Sequence, residues 1–121
     1  MSYKAEFYAR DNGKQPARDF IDGLSKEKRA VLVAAIKEIL LKQGKDVCES
    51  AYGKPLKQGL FEFRVRDAEV TLRLYFYPHG DQLLLLLCGY DKRRFGSGRR
   101  ERKAIETARK YLKDYKQNPP R

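Results

Sequence analysis

The chain has 121 residues, the size of one domain, with 27 lysines and arginines against 16 acidic residues. A chain of this length can bury one hydrophobic core without disulfides or structural metals, so we predict a single domain over residues 1–121. The formal net charge of +11 favours polyanionic partners, above all nucleic acid, and makes an anionic membrane surface the weaker alternative.

Membrane spans and metal sites are not expected. The longest apolar run, residues 83–88, is far too short to cross a bilayer, and the first residues lack the apolar stretch of a secretory signal. We therefore expect a cytoplasmic protein with no membrane partner. Cys48 and Cys88 lack metal-ligand spacing and are expected to be reduced thiols, so neither a metal nor another cofactor is predicted.

The N-terminal third predicts one strand and two helices. Residues 3–10 alternate in polarity as a strand does. Pro16 suits the first position of a helix and Gly23 its exit. Ser25 is placed to cap a second, largely apolar helix that extends to about Gln43.

Residues 61–77 predict a β-hairpin that separates apolar from basic side chains, because successive residues of a strand point to opposite faces. The apolar face comprises Phe61, Phe63, Val65, Val70, Leu72, Leu74 and Phe76. We expect the second helix to cover it. The opposite face, here called the basic strand face, comprises Arg64, Arg66, Arg73, Tyr75 and Tyr77. These residue types bind phosphates and stack on bases, and we expect the arginines of this face to be exposed. For Tyr75 and Tyr77 we favour the interpretation that they are ordinary strand aromatics packed beside Leu84 and Leu86.

The turn at Asp67-Ala68 sets the register expected for this hairpin. The expected pairs are Val65 with Val70, Phe63 with Leu72, Glu62 with Arg73, and Arg66 with Glu69. The last two pairs join opposite charges across the strands, which is favourable.

The C-terminal half predicts a fourth strand, residues 82–89, and a last helix, residues 99–115. Leu84, Leu86 and Cys88 are expected to face the same side as Arg73, where either the last helix or a partner covers them. The predicted fold is α+β, with a small, mostly antiparallel four-stranded sheet, two N-terminal helices on one face, a C-terminal helix and the element order β-α-α-β-β-β-α.

Four segments, in order, resemble the RelE/ParE toxin superfamily and, within it, the phage-derived HigB-like branch. They are Lys54-Pro55-Leu56, the run from Gly59 to Val65, the run from Arg73 to Phe76, and the strand end from Gly89 to Arg93. The order of elements is also the one that the superfamily shows. One segment departs from the branch, which usually has a lysine pair and then a proline-containing loop after the last strand. Residues 92–98 have no proline and more arginine.

The resemblance implies the toxin of a type II toxin–antitoxin system. Such a toxin is a ribosome-dependent endoribonuclease that cuts mRNA and is silenced by a small helix-turn-helix antitoxin. The partners implied are therefore the antitoxin, mRNA and the ribosome. The resemblance also places Lys54, Arg73 and residues 90–92 around one catalytic surface.

Cleavage of RNA by its own 2′-hydroxyl requires a base, positive charge on the phosphorane and a proton for the leaving oxygen, and it requires no metal. Arg73 and Arg64 are the candidates for phosphate stabilisation, because a guanidinium offers a planar fork of donors. Tyr90 or Lys92 is the candidate for base or acid. Tyr and Lys side chains titrate at about pH 10 in water, so either group needs neighbours that tune it. Lys54 completes the catalytic set.

The other basic residues near these segments are predicted to bind RNA or the ribosome. They are Lys57, Arg66, Arg93, Arg94, Arg99, Arg100, Arg102 and Lys103. Several crowd the first turn of the last helix, where the macrodipole disfavours cations. A solvated loop is the alternative interpretation of this run, and neutralisation of Glu62 is the alternative for Arg73. Two other functions stay open, namely ParE-like inhibition of DNA gyrase and non-catalytic nucleic-acid binding.

Overall fold

A five-stranded mixed sheet with helices on both faces forms the protein, in a computed structural model that describes residues 2–67 and 70–118. The strands are β1 (Lys4–Phe7), β2 (Gly53–Pro55), β3 (Phe61–Asp67), β4 (Val70–His79) and β5 (Leu83–Asp91). Their order in the sheet is β1-β5-β4-β3-β2, with β1 parallel to β5 and the other pairs antiparallel.

The helices lie before β2 and after β5. They are α1 (Pro16–Asp22), α2 (Lys26–Ala35), α3 (Leu41–Gln43), α4 (Lys92–Phe95) and α5 (Arg99–Gln117), with a π-helical turn (Ile36–Leu40) between α2 and α3 and a 3-10 helix (Gly44–Glu49) after α3. In the described part of the chain, none of these helices has the length and apolar character needed to cross a membrane.

The two predicted N-terminal helices are confirmed. Pro16 begins α1, and the Ser25 hydroxyl caps α2 by accepting from the Lys28 N–H at 3.3 Å. The helical segment ends at Gln43, where Gly44 takes a φ of 58° that favours glycine. The π-helical turn inside this segment was not predicted.

The prediction of four strands is wrong by one. Strand β2, only three residues long, adds to the edge of the sheet by pairing with β3. So short a strand shows no alternation of polarity, which is why its sequence does not predict it. The four residues of α4 are likewise too few to show the periodicity of a helix, so the sequence does not predict this helix either. The α+β class, the mostly antiparallel pairing and the placement of the N-terminal helices are confirmed.

The predicted hairpin register is also wrong, by two residues. The observed pairs are Val65 with Leu72, Phe63 with Leu74, Arg64 with Arg73, Arg66 with Thr71 and Asp67 with Val70. The pairing thus continues to Asp67, and the predicted turn residue Ala68 and the predicted partner Glu69 lie outside the described residues. A shift of two leaves every side chain on its predicted face, so the hydrophobic pattern does not distinguish the two registers.

The first face of the sheet packs against α1, α2 and the π-helical turn. The buried residues there include Leu32, Ile36, Leu40, Phe63, Leu72 and Leu74. Burial of these side chains stabilises the fold in the predicted arrangement, since neither the helix nor the strand face is left in water.

The second face of the sheet packs against α5. Of the two covers predicted for this face, the last helix or a partner, the helix is therefore the one observed. Ala108, Leu112 and Tyr115 of α5 are buried together with Tyr75, Leu85, Leu87 and Cys88. The predicted facing of Leu84 and Leu86 is wrong, since both lie on the first face. Tyr75 pairs with Cys88 and Phe76 with Leu86, so a β-bulge at Leu87 reverses the alternation along β5.

Gly89 of β5 lies directly under the ring of Phe20 from α1, and a Cβ at position 89 would overlap carbon atoms of that ring. We expect Gly89→Ala to displace α1 from the sheet and lower the free energy of unfolding by about 1–3 kcal/mol, as overpacking does. Chemical denaturation measures this. Adding Phe20→Leu should restore part of the loss, and strictly additive losses would contradict the steric explanation.

Candidate functional site

Basic side chains from β3, β4 and α4 come together with Tyr90 of β5 at the end of the sheet where β5 meets α4. Arg64 of β3 pairs with Arg73 of β4, which in turn pairs with Tyr90 of β5. Arg66 pairs with Thr71 two residues further along. Lys92 follows β5 directly. The strand register therefore brings Arg64, Arg66, Arg73, Tyr90 and Lys92 to one end of the sheet.

Less of the basic strand face is exposed to solvent than predicted. Arg73 is 1% exposed, so the expectation that it lies on the surface is wrong. Tyr75 is fully buried, in agreement with its interpretation as a packed strand aromatic, although its neighbours are Leu85 and Leu87 and not Leu84 and Leu86. The cause of this burial is α5, which packs across this face. Arg66 is exposed, while Arg64 and Tyr77 are half-buried. The surface that remains open lies at the Arg66 end.

Glu62 is the carboxylate that holds the two facing arginines. It is 3% exposed, accepts a hydrogen bond from Arg64 Nε at 2.7 Å, and lies with Oε1 3.7 Å from Arg73 Nε. Its partner across the strands is Tyr75, so it reaches Arg73 diagonally. The predicted attraction between Glu62 and Arg73 is present in spite of the different register.

Arg73 keeps hydrogen-bonding capacity that the protein does not use. Within the described residues, its Nε and Nη1 have no hydrogen-bond partner. Burial lowers the pKa of this guanidinium, Glu62 opposes the shift, and Arg64 and Arg66 lower the pKa further. A buried donor without a hydrogen-bond partner lowers the stability of the folded state. The two donors of Arg73 lie beside the end of the sheet that carries the other cations.

Glu101 offsets the cations at the start of α5. It lies in the first turn of that helix, and its Oε2 is 3.6 Å from Lys92 Nζ. Two further cations, Arg94 and Arg100, lie 5.0 and 5.4 Å from the centroid of the Phe95 ring. A carboxylate and an aromatic ring thus stabilise a cationic run that the helix macrodipole disfavours.

Tyr90 is held as a proton donor. Its hydroxyl donates to the Gly96 carbonyl at 2.5 Å, and its ring is buried. Burial raises the pKa of Tyr90, as does Glu101, while Arg100 opposes the rise. The phenol therefore carries its proton at neutral pH, so it can donate this proton and cannot act as a base until the proton has left.

Asp91 and Lys28 position α4, and the sequence prediction missed Lys28. Asp91 is 4% exposed. Its Oδ2 accepts from Lys28 Nζ at 2.7 Å, and its Oδ1 accepts from the Arg94 N–H at 3.1 Å. The second bond is an N-cap, which the spacing from Asp91 to Arg94 already indicates. The first joins residues 63 positions apart, and nothing local in the sequence reveals it.

An open cavity of about 370 Å³ lies beside these groups. It is lined by Arg66, Thr71, Lys92, Arg93 and Ser97. Its volume is within the range of small-ligand sites, and its cations suit a phosphate. In the described part of the chain, no three His, Cys, Asp or Glu side chains are grouped so as to hold a metal ion.

The remaining predicted site residues are Lys54, Lys57 and the cations of α4 and α5 other than Lys92, none of which except Arg93 lines this cavity. Lys54 is exposed on β2, opposite Glu62 in the register. Lys57 lies in the turn after β2, where its carbonyl accepts from Arg109. Arg109 is about 12 Å along α5 from Glu101 at 1.5 Å per residue, so Lys57 is remote from the cavity. Arg94, Arg99, Arg100, Arg102 and Lys103 are exposed in α4 and the first turns of α5.

The family model for phage-derived Gp49-like proteins (DUF891) matches residues 19–113. The chain belongs to the Gp49-like family. The match spans the sheet end, the cavity and most of α5, so the site lies within the part shared with this family. Among curated proteins, none matches this Gp49-like chain in sequence. The predicted phage-derived kinship is confirmed, and the HigB-like branch stays a prediction.

Glu62→Gln should destabilise the Gp49-like fold, because it leaves the charge of buried Arg73 without its neighbouring carboxylate. Loss of one partner of a buried ion pair costs about 3–5 kcal/mol, and we expect a loss in that range by chemical denaturation. Glu101→Gln is the matched control. It removes the same charge from a less buried ion pair and should cost about 1 kcal/mol or less.

Adding Arg73→Met to Glu62→Gln should recover much of that stability, because the uncompensated charge is then gone. A further loss in the double variant would contradict the role assigned to Glu62. It would mean that Arg73 stabilises the sheet through packing or through its other neighbours.

Proposed function

We propose that this Gp49-like protein is the toxin of a type II toxin–antitoxin pair, of the HigB-like branch, and that it acts as a metal-independent, ribosome-dependent endoribonuclease on mRNA. The observation that carries the proposal is the open cavity lined by Arg66, Lys92 and Arg93 at the end of the row formed by Arg64, Arg73 and Tyr90. A phosphate in this cavity would lie close to several positively charged side chains and near the protonated phenol of Tyr90.

The cations would act on the phosphorane. Arg66 lines the cavity, and Arg64 lies two residues back along β3. Guanidinium groups fixed where negative charge develops stabilise a transition state more than a ground state. Arg73 is too deeply buried to contact substrate in the free protein, and we assign it a positioning role through Glu62, which in turn holds Arg64.

Tyr90 is assigned the acid that protonates the leaving 5′-oxygen, after its hydroxyl is released from the Gly96 carbonyl. Of the two groups predicted for acid and base, Lys92 is then left for the base that accepts the 2′-hydroxyl proton. An amine accepts a proton only in its neutral form, so the ion pair with Glu101 would have to open and the ammonium group give up its proton to water before this step.

The proposed partners are mRNA, the ribosome and a small helix-turn-helix antitoxin. The net charge of +11 supports the first two, because release of counterions drives association with RNA. The exposed cations of α4 and α5 beside the cavity extend the surface available to ribosomal phosphates. We expect the antitoxin to silence the toxin by blocking this end of the sheet.

Expression of the chain without an antitoxin should arrest growth and shorten messages, and Arg64→Gln/Lys92→Gln should lower cleavage of ribosome-bound mRNA by about 100-fold or more. Sequencing of RNA ends after brief induction measures this. Arg18→Gln/Lys42→Gln, which removes the same charge from largely exposed sites, should cut like the parent. Growth arrest with intact messages and inhibited DNA gyrase would favour the ParE-like alternative.

Cleavage by the pure protein with ribosomes should leave 2′,3′-cyclic phosphate or 3′-phosphate ends. The reason is that the groups assigned to the chemistry are Arg, Lys and Tyr side chains, which use the 2′-hydroxyl as the nucleophile. End-specific ligation and mass spectrometry of the products identify the ends. Products with 3′-hydroxyl ends would overturn this mechanism.

A further inference from the structure

A second cavity, of about 420 Å³, lies between the C-terminal half of α5 and the turn after β2. It is lined by Gln58, Arg109, Leu112, Lys113, Lys116 and Gln117. Leu112 belongs to the buried cluster beneath α5 and provides an apolar floor. Among the described residues that line the cavity, three are cations and none is acidic. The cavity therefore combines positive charge with an apolar surface.

The wall of this cavity is held by specific bonds. Arg109 donates to the carbonyls of Leu56 and Lys57 and so ties the turn to α5. Within the turn, the Leu56 N–H donates to the Leu60 carbonyl at 2.9 Å, and Lys57 and Gln58 take positive φ angles of 75° and 57°. These carbonyl contacts leave the charge of Arg109 without a carboxylate partner in the described part of the chain.

The two lysines of the cavity, Lys113 and Lys116, also lack a carboxylate partner in the described part of the chain. Lys113 is exposed and forms no ion pair with the described residues, and Lys116 Nζ lies 5.0 Å from the centroid of the Tyr77 ring. The neighbouring acid, Asp114, is engaged elsewhere, since it accepts hydrogen bonds from the Tyr8 hydroxyl and from Asn118 Nδ2 at 3.1 Å. Its carboxylate is thus committed to the opposite side of the helix.

A row of cations connects this cavity to the candidate active site. Arg99, Arg102, Arg109, Lys113 and Lys116 recur at spacings that place them on one side of α5, where the exposed acid Glu106 separates the first two cations from the other three. The row begins two residues before Glu101, which contacts Lys92 at the first cavity, and it extends for about 26 Å at 1.5 Å per residue. A long linear polyanion matches this distribution of charge.

We propose that the second cavity binds the phosphodiester backbone of the RNA strand on which the first site acts, so that one strand contacts both ends of α5. The inference rests on the proposed function. Lys113 and Lys116 would contact phosphates, while Leu112 and the lysine stems would contact ribose or base faces. An acidic polypeptide would satisfy the lysines, but it would not account for Arg99 and Arg102 on the same side of α5, beyond Glu106 and next to the candidate active site.

The test uses a fluorescent single-stranded RNA of about 12 nucleotides, within the usual site size of single-strand binders, with 2′-O-methyl groups so that it cannot be cut. Lys113→Gln/Lys116→Gln should weaken its binding about tenfold at low salt and lower the slope of log affinity against log salt by about 1.4, for two lost phosphate contacts. Fluorescence anisotropy over a salt series measures both quantities.

Lys26→Gln/Lys37→Gln is the matched control, because both residues are exposed lysines of the N-terminal helical segment, outside the cavity and not on α5. It should bind this RNA nearly as the parent does. Equal behaviour of the two variants would overturn the proposal. The same titration with poly-glutamate of equal charge identifies an acidic polypeptide as the ligand if the cavity variant loses affinity for it as strongly as for RNA, which would also overturn the proposal.

The two proposals fail separately. A chain that binds RNA through Lys113 and Lys116 but never cuts mRNA contradicts the proposed nuclease and leaves the second cavity as an RNA site. A chain that cuts mRNA, but whose RNA affinity and salt dependence ignore both lysines, contradicts only the second-cavity inference.

Discussion

The carboxylate of Glu62 allows two arginines to face each other across neighbouring strands. Arg64 and Arg73 are directly paired, an arrangement that like charges alone would make unfavourable. Because Glu62 is buried and lies against both, the strands keep a register in which Arg73 can be covered. Arg64, Tyr90 and the start of α4 take their positions from that register, so the candidate active site depends on one buried acid.

Helix α5 then divides the basic strand face into a covered part and an open part. Its apolar side buries Tyr75 and closes the second core, and its first turn supplies Glu101 to Lys92. The cavity lined by Arg66 and Lys92 lies at this boundary. A site at such a boundary has charged groups whose neighbours are fixed by the core, which favours preorganised electrostatic stabilisation of a phosphate.

The exposed side of the same helix carries most of the remaining charge. Cations without carboxylate partners continue along α5 to a second cavity walled by the turn that Arg109 anchors. Lys92, which forms an ion pair with Glu101, lies at the first cavity. Lys113, which forms no ion pair with the described residues, lies at the second. This distribution would separate chemistry at one end from attachment of the strand at the other, within a single small domain.

The sequence by itself determined the two N-terminal helices, the faces of the hairpin strands and the residue types of the site, because caps, glycine exits and alternation are local signals. It did not determine the register, since a slip of two residues keeps every face. Only the tertiary structure decided that Arg73 is buried and that Lys28 holds Asp91. Those outcomes depend on α5 and α2 packing against strands distant in sequence, and no local pattern encodes a contact that exists only when both elements are in place.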